Sequence, residues 1–466
     1  MPNPLTIGLI SGIHGIVATY VKSALLAAIH QAGLNARIIE CDLELPANPP
    51  SDRHAWADRK LTALESALRL EEQGADVIVI GDWRSEPFIE ELRKELRTPV
   101  LSFLEEAARE VARRGIKRLG VVGNVIPADR LAPHFPGVTL VEADPSNPCV
   151  NTDDINVIRS FADKLPQDVE AILPNCGRVA GVVKQLDAYQ YPFLDIFAIG
   201  AQSLIEHVPA PYPRPFKVGM IGGLGPAATV DLYDKITRAT PAKNDQEHIR
   251  VVIEQNPQIA DRTAHLLNHE EDPTCAMYDA ARRLEKDGCD AIVIPCNTAH
   301  AFLPFLERHI KVPFINMQQV TMEEIFAQLG HDARIGLLAT TGTVRTGLYG
   351  DKARAMGMAL FTPDDEHQAL VMNAIYGPKG VKAGFTDGEC REDLLKAVAF
   401  LVREYDCNCL ILGCTELPLI LEETPAFAIE GKTVRITDPT AALARKVVNL
   451  ALTTNKERGW VNKKLS

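Results

Sequence analysis

Two cysteines in this 466-residue chain stand in matching surroundings. Cys296 follows the apolar run 291–294 in Pro295-Cys296-Asn297-Thr298, and Cys414 follows the run 410–412 in Gly413-Cys414-Thr415-Glu416. Each segment reads as a buried strand, then a thiol, then small polar residues opening a helix. A thiol at a helix N-terminus is expected to be acidified, because the helix dipole and the unpaired backbone N–H groups favour the thiolate. One such cysteine is ordinarily a structural residue. Two at equivalent places suit a reaction that needs an acid and a base of similar strength on opposite faces of one carbon. Inversion at the Cα of an amino acid is such a reaction: a thiolate removes the proton from one face and a thiol delivers another to the opposite face. The carbanion between them needs hydrogen-bond donors around its carboxylate, and Asn297, Thr298, Thr415 and the adjacent amides are placed to supply them. His300, on the same predicted helix as Cys296, either assists that thiol or only hydrogen-bonds locally.

The elements that must position these groups are legible in outline. The segment 210–215, Ala-Pro-Tyr-Pro-Arg-Pro, disfavours both helix and central strand and reads as a linker between two near-equal halves. Each half alternates apolar strands with amphipathic helices, the pattern of a parallel α/β sheet. The same landmarks recur in the same order. Ile7-Gly8-Leu9-Ile10-Ser11-Gly12 matches Val218-Gly219-Met220-Ile221-Gly222-Gly223, and 75–80 matches 289–294. Likewise 118–122 matches 334–338, and 169–173 matches 409–412. A whole-domain duplication follows. Two strand–thiol units within the second half imply two α/β lobes with a cleft at their strand ends, where parallel sheets bind ligands. The cluster Gly222-Gly223-Leu224-Gly225-Pro226 has neither the spacing of a dinucleotide fingerprint nor a Lys-Ser/Thr ending, so it reads as a tight turn whose backbone approaches the substrate.

Four segments together resemble the aspartate/glutamate racemase family: Gly222-Gly223-Leu224-Gly225-Pro226-Ala227-Ala228-Thr229, Asn256-Pro257-Gln258-Ile259-Ala260-Asp261-Arg262, Pro295-Cys296-Asn297-Thr298-Ala299-His300 and Gly413-Cys414-Thr415-Glu416. The resemblance covers about residues 217–450. It implies racemisation without a cofactor or metal, by Cys296 and Cys414, on two pseudo-symmetric α/β lobes. It also implies that Gly223, Asn256, Asn297, Thr298 and Thr415 surround the substrate, with His300 and Glu416 as auxiliaries. Arg262 and Lys382 would face the side-chain carboxylate, two cations that suit an acidic amino acid, aspartate in preference to glutamate. Hydantoin racemases, maleate isomerases and arylmalonate decarboxylases resemble the same architecture. The paired thiols and the two cations favour an amino-acid racemase over them, and over a non-catalytic amino-acid sensor.

The expected organisation is a degenerate racemase-like domain at 1–210, a proline-rich linker at 211–216, a catalytic domain at 217–455 and a polar tail at 456–466. In the first half Asp82 stands where the second has Cys296. Ungapped, Asn175 stands where it has Cys414, and a one-residue insertion would give that place to Cys176. A carboxylate is too weak a base to mirror a thiolate, so this half is expected to be structural, dimerising or regulatory, with a single-thiol enzyme as the remaining reading. Asp82, with Arg84 beside it favouring its charged form, could form a polar site with Glu86.

The formal charge of -12 opposes general affinity for nucleic acid or an anionic membrane, and no apolar run is long enough to span one. Ten scattered cysteines without a secretory leader point to reduced thiols and a cytoplasmic location. Cys407 and Cys409 lack further ligands at a zinc-like spacing. The expected partner is a small acidic amino acid, and a homodimer is compatible with this reading.

Overall fold

The computed structural model describes residues 4–11, 15–42, 53–144, 152–186, 189–210 and 213–460. Gly12 of the first glycine landmark, Pro211 and Tyr212 of the linker, and the tail from 461 lie outside them. The chain divides into two compact units, Met1–Tyr212 and Pro213–Ser466. No helix among the described residues is long and apolar enough to cross a membrane.

In the first unit, β1 (Leu5–Ser11), β2 (Ala36–Asp42), β3 (Val77–Ile80) and β4 (Val100–Leu101) form a parallel sheet in the order β2-β1-β3-β4. A second parallel sheet is ordered β6-β5-β7, from β5 (Arg118–Val122), β6 (Thr139–Glu142) and β7 (Ala171–Pro174). The second unit repeats the plan. Its first sheet is β10-β8-β9, from β8 (Lys217–Gly222), β9 (Arg250–Gln255) and β10 (Ala291–Val293). Its second is β12-β11-β13-β15-β14, from β11 (Arg334–Leu338), β12 (Ala359–Phe361), β13 (Cys409–Leu412), β14 (Thr424–Ile429) and β15 (Lys432–Thr437). Among the described strands only β14 and β15 pair antiparallel, across a turn in which Glu430 and Gly431 both have positive φ. Helices cover the sheets, which is why the central strands are runs of Val, Ile and Leu without polar alternation. The last helix, Pro439–Glu457, runs on into the segment expected as a polar tail.

Strand register fixes the equivalence of the two units. Ile78 lies opposite Gly8 as Ile292 lies opposite Gly219. Counting four residues on from each gives Asp82 and Cys296. In the other sheet Ile172 lies opposite Gly120 as Leu410 lies opposite Gly336, and four residues on stand Cys176 and Cys414. Asn175 therefore matches Gly413: Asn175 N–H donates to the carbonyl of Val122 just as Gly413 N–H donates to that of Leu338. Of the two alignments the sequence leaves open, the one that gives the place of Cys414 to Cys176 holds, because backbone pairing and not residue type sets the register.

Candidate active site

Cys296 and Cys414 come from different sheets of the second unit and line one narrow cleft. Both are buried, with 9% and 5% of their surface exposed. The segments after them are not α-helices. Thr298–Phe302 and Leu417–Leu419 are short 3₁₀ turns, so the expected dipole of a long helix is missing. Cys414 accordingly departs from the expected acidification: burial pushes its thiol well above the usual range, and the carboxylate of Glu416 adds to the push. Its Sγ donates to Glu416 Oε2 at 3.0 Å, and Glu416 Oε1 accepts from Lys382 Nζ at 2.5 Å. Burial works against the Lys382 ammonium, but Glu416 and the Cys414 sulfur hold it above its ordinary value.

Arg262 starts the helix Arg262–Asn268, whose N-cap Asp261 accepts from the Ala264 N–H at 2.8 Å. That cap fixes the arginine in the cleft wall. Its terminal nitrogens donate to the carbonyls of Ala260, at 2.9 Å, Ile259 and Leu224. Its Nε is buried without a hydrogen-bond partner among the described residues. Burial disfavours its charge, and the sulfur of Cys296 beside it restores it. Neither predicted cation therefore stands bare in the cleft: Lys382 is paired with a carboxylate and Arg262 is held by carbonyls.

Asn297 lines the cleft, accepts at Oδ1 from the Tyr349 hydroxyl at 2.7 Å, and has a buried Nδ2 without a partner among the described residues. That nitrogen is a donor awaiting an acceptor. Thr298 hydrogen-bonds Thr340 at 3.1 Å and Thr343 at 2.8 Å. Thr415 donates to the carbonyl of Pro295 at 3.1 Å, tying the two thiol loops together. Gly223 and Asn256 do not line the cleft. They lie against each other: Gly223 has φ +89°, and a Cβ there would sit 2.4 Å from the Asn256 carbonyl carbon. Asn256 itself accepts from the Gln258 N–H at 3.0 Å in a local turn.

His300 is fully enclosed and does not line the cleft. Its Nε2 accepts from the Met317 N–H at 3.1 Å, which leaves Nδ1 to donate to the carbonyl of Cys296 at 2.8 Å. With both ring nitrogens engaged, it positions the Cys296 loop through that carbonyl. Burial pushes its pKa down to about 4 from 6.5. The unfolded ring binds a proton near pH 6.5 and the folded ring only near 4. Stability of the second unit from this source is thus fully present above about 6.5 and drains away as pH falls, by up to about 3 kcal/mol. His300→Gln is expected to flatten that loss, read by urea unfolding at pH 7.5 and 4.5; an unchanged difference would contradict the assignment.

Sequence reasoning passed over Thr340, Thr263, Asp261 and Tyr376, which also line the cleft. Thr340 follows β11, and the strand-end rule could have found it had that third strand end been searched. Tyr376 donates to Asp261 Oδ2 at 3.3 Å, its ring lies 5.5 Å from Lys382 Nζ, and burial with Asp261 pushes its phenol up to about 12.

The first unit assembles its corresponding residues differently. Asp82 accepts from Arg59 Nη1 at 2.5 Å, with Arg59 only 2% exposed. The cation paired with Asp82 is Arg59, and the Arg84 backbone N–H also donates to Asp82 Oδ1 at 3.3 Å. Glu86 accepts from Ser102 Oγ at 2.6 Å and the Phe103 N–H at 2.9 Å, capping the helix Phe103–Arg114. Its burial pushes the carboxyl up to about 7. Both carboxylates are thus engaged inside the fold. Trp83, in the place of Asn297, donates its indole N–H to Asn175 Oδ1 at 3.0 Å, and both are buried. Arg178 stands in the place of Glu416. Cys407 and Cys409 are enclosed in the second unit, and burial pushes their thiols up to about 12 and 11.

The family model for Asp/Glu/hydantoin racemases matches the chain twice, at residues 18–204 and 221–447. The chain is similar to the broad specificity amino-acid racemase RacX of Bacillus subtilis (strain 168), 26% identical over 244 residues, which are 50% of this chain and 98% of that protein. It is similar to a glutamate racemase of Latilactobacillus sakei, 28% identical over 145 residues, 31% of this chain and 50% of that protein. Among solved structures it is similar to the aspartate racemase of Picrophilus torridus, at 29% identity and a TM-score of 0.41, covering 52% of this chain and 94% of that one.

Proposed function

Since the chain belongs to the Asp/Glu/hydantoin racemase family, matched in both of its units, we propose that its second unit racemises an acidic amino acid, aspartate in preference to glutamate, without a cofactor. The observation that supports this reading is the pair of thiols on the wall of one cleft, each carried past the carboxyl end of a strand in a different sheet. One thiol takes the Cα proton and the other delivers a proton to the opposite face. Asn297, through its unpaired Nδ2, holds the α-carboxylate as negative charge develops on it. Arg262 and Lys382 face the side-chain carboxylate, Arg262 through its unpaired Nε. Thr298 and Thr415 act by shaping the two thiol loops, given the bonds their hydroxyls already make. The first unit is a racemase-like domain without this chemistry. The test incubates the purified chain with each enantiomer of aspartate and of glutamate in heavy water. Deuterium at Cα in both enantiomers supports the reading, and its absence from all four refutes it.

A second reading, racemisation of amino acids with neutral side chains, draws on the balance of charge. Lys382 and Arg262 share the cleft with Glu416 and Asp261, so the four charged side chains cancel. The two readings separate on variants. A charge-assisted bond to a carboxylate contributes about 1.5–3 kcal/mol, or about ten- to a hundred-fold. Lys382→Met and Arg262→Met are expected to lower kcat/KM for aspartate by that factor more than for a neutral amino acid. Equal losses on both substrates would favour the second reading.

A further inference from the structure

The two thiols stand in unlike surroundings. The geometry points to Glu416, braced by Lys382, as the residue that keeps Cys414 protonated in the resting enzyme, so that Cys414 waits as the acid and Cys296 as the base. This deepens the racemase reading and rests on it. The Cys414 Sγ–H already donates to Glu416 Oε2 at 3.0 Å. The other carboxylate oxygen is held by Lys382 at 2.5 Å, which prevents the group from swinging away. The space for this carboxylate is built in: a Cβ on residue 225 would lie 2.3 Å from Glu416 Oε1, and residue 225 is glycine. Among the described residues no carboxylate is hydrogen-bonded to the Cys296 sulfur, and the Arg262 guanidinium lies beside it.

A thiolate at Cys414 would face the negative charge of Glu416 at hydrogen-bond distance, with little water to screen it. The other charged or titratable groups facing it are Lys382 from the turn Val381–Ala383, Tyr376 from the helix Asp365–Tyr376, and Arg262, Asp261 and Cys296 across the cleft. Burial reinforces the preference for the thiol. In the forward step the Cα–H bond breaks as S–H forms on the Cys296 thiolate. The S–H bond of Cys414 then breaks as the new Cα–H bond forms on the opposite face, leaving a Cys414 thiolate. Solvent water returns a proton to Cys414 and Cys296 gives one up, which restores the resting state. Glu416 acts through Cys414 and is a positioning residue.

The test reads Cys414 alone. In the full chain carrying Cys296→Ala, alkylation of Cys414 by iodoacetamide is followed against pH by peptide mass spectrometry. Adding Glu416→Gln removes the opposing charge and leaves Lys382 beside the sulfur. The alkylation profile is expected to move down by about one pH unit, about tenfold in rate at pH 8. Adding Lys382→Met instead leaves Glu416 uncompensated and is expected to slow alkylation at the same pH. Shifts of opposite sign support the assignment. Shifts of the same sign, or none, overturn it, since loosened packing would speed both. Gly225→Ala, which pushes the carboxylate aside, is expected to follow Glu416→Gln and replaces it if that variant does not fold. None of these measurements requires turnover, so a failure here is distinct from a failure of the heavy-water test.

Discussion

Replacing either Cys296 or Cys414 by alanine is expected to abolish racemisation while leaving the second unit folded. The fold should survive because each change removes one sulfur at a cleft wall, Cys414 giving up its bond to Glu416 and Cys296 its contact with Arg262. The activity should not, because inversion needs a group on each face of Cα and each variant has one. A positioned acid or base contributes typically 10²–10⁴-fold, so net racemisation should fall by about that factor or more. The variants should differ from each other. Cys414→Ala keeps the thiol beside Arg262 and is expected to exchange the Cα proton of one enantiomer with heavy water. Cys296→Ala keeps only the thiol bonded to Glu416 and is expected to exchange the other enantiomer much more slowly. Full racemisation by either single variant would defeat the two-base mechanism. The double variant in the full chain reads the first unit at the same time. Asp82 is committed to Arg59, and buried Trp83 replaces Asn297, so no residual racemisation of aspartate or glutamate is expected. Measurable turnover there would assign a working site to the first unit.

Gly223→Ala is expected to be among the most damaging single substitutions in the second unit. At φ +89° an L side chain is strained, and its Cβ would meet the backbone of Asn256 and Pro257 at 2.4 to 2.7 Å. Backbone on the far side cannot swing away as a flexible side chain could. Relief must come from moving the loop, and the loop holds the site together. The Gly223 N–H donates to Thr229 Oγ1 at 3.1 Å, the Leu224 carbonyl accepts from Arg262, and Gly225 makes room for Glu416. Strain and lost contacts together should cost on the order of 3–5 kcal/mol in the stability of the second unit. Racemase activity should fall by more than stability alone explains, because Arg262 and Glu416 both lose their seats. Chemical unfolding together with the exchange assay on the still-folded fraction checks both. A variant within about 0.5 kcal/mol of the parent chain with full activity would show that the turn is not under this constraint.

The sequence by itself determined the duplication, the alternation of strands and helices, and the thiols at two strand ends. These are carried by local signals: apolar runs of strand length, small polar residues after them, and the order in which they recur. Ala291–Val293 and Cys409–Leu412 need no partner to be read as buried strands, and the residue past each is fixed by chain connectivity. The cations were legible as residue types but not as contacts. Arg262 is legible as a cation of the site, and only the fold shows its guanidinium spanning three carbonyls, one of them on Leu224 in a distant loop. Only tertiary structure decided that Cys176 and not Asn175 stands in the place of Cys414, because register depends on which residue lies opposite Gly120 in a neighbouring strand. Only tertiary structure brought Glu416 onto Cys414, through a lysine from another turn and a glycine from another lobe. The acidification expected of a thiol at a helix start gave way at Cys414 for that reason. A local rule sets the backbone around the sulfur, while burial and a charge at 3.0 Å set whether it holds its proton.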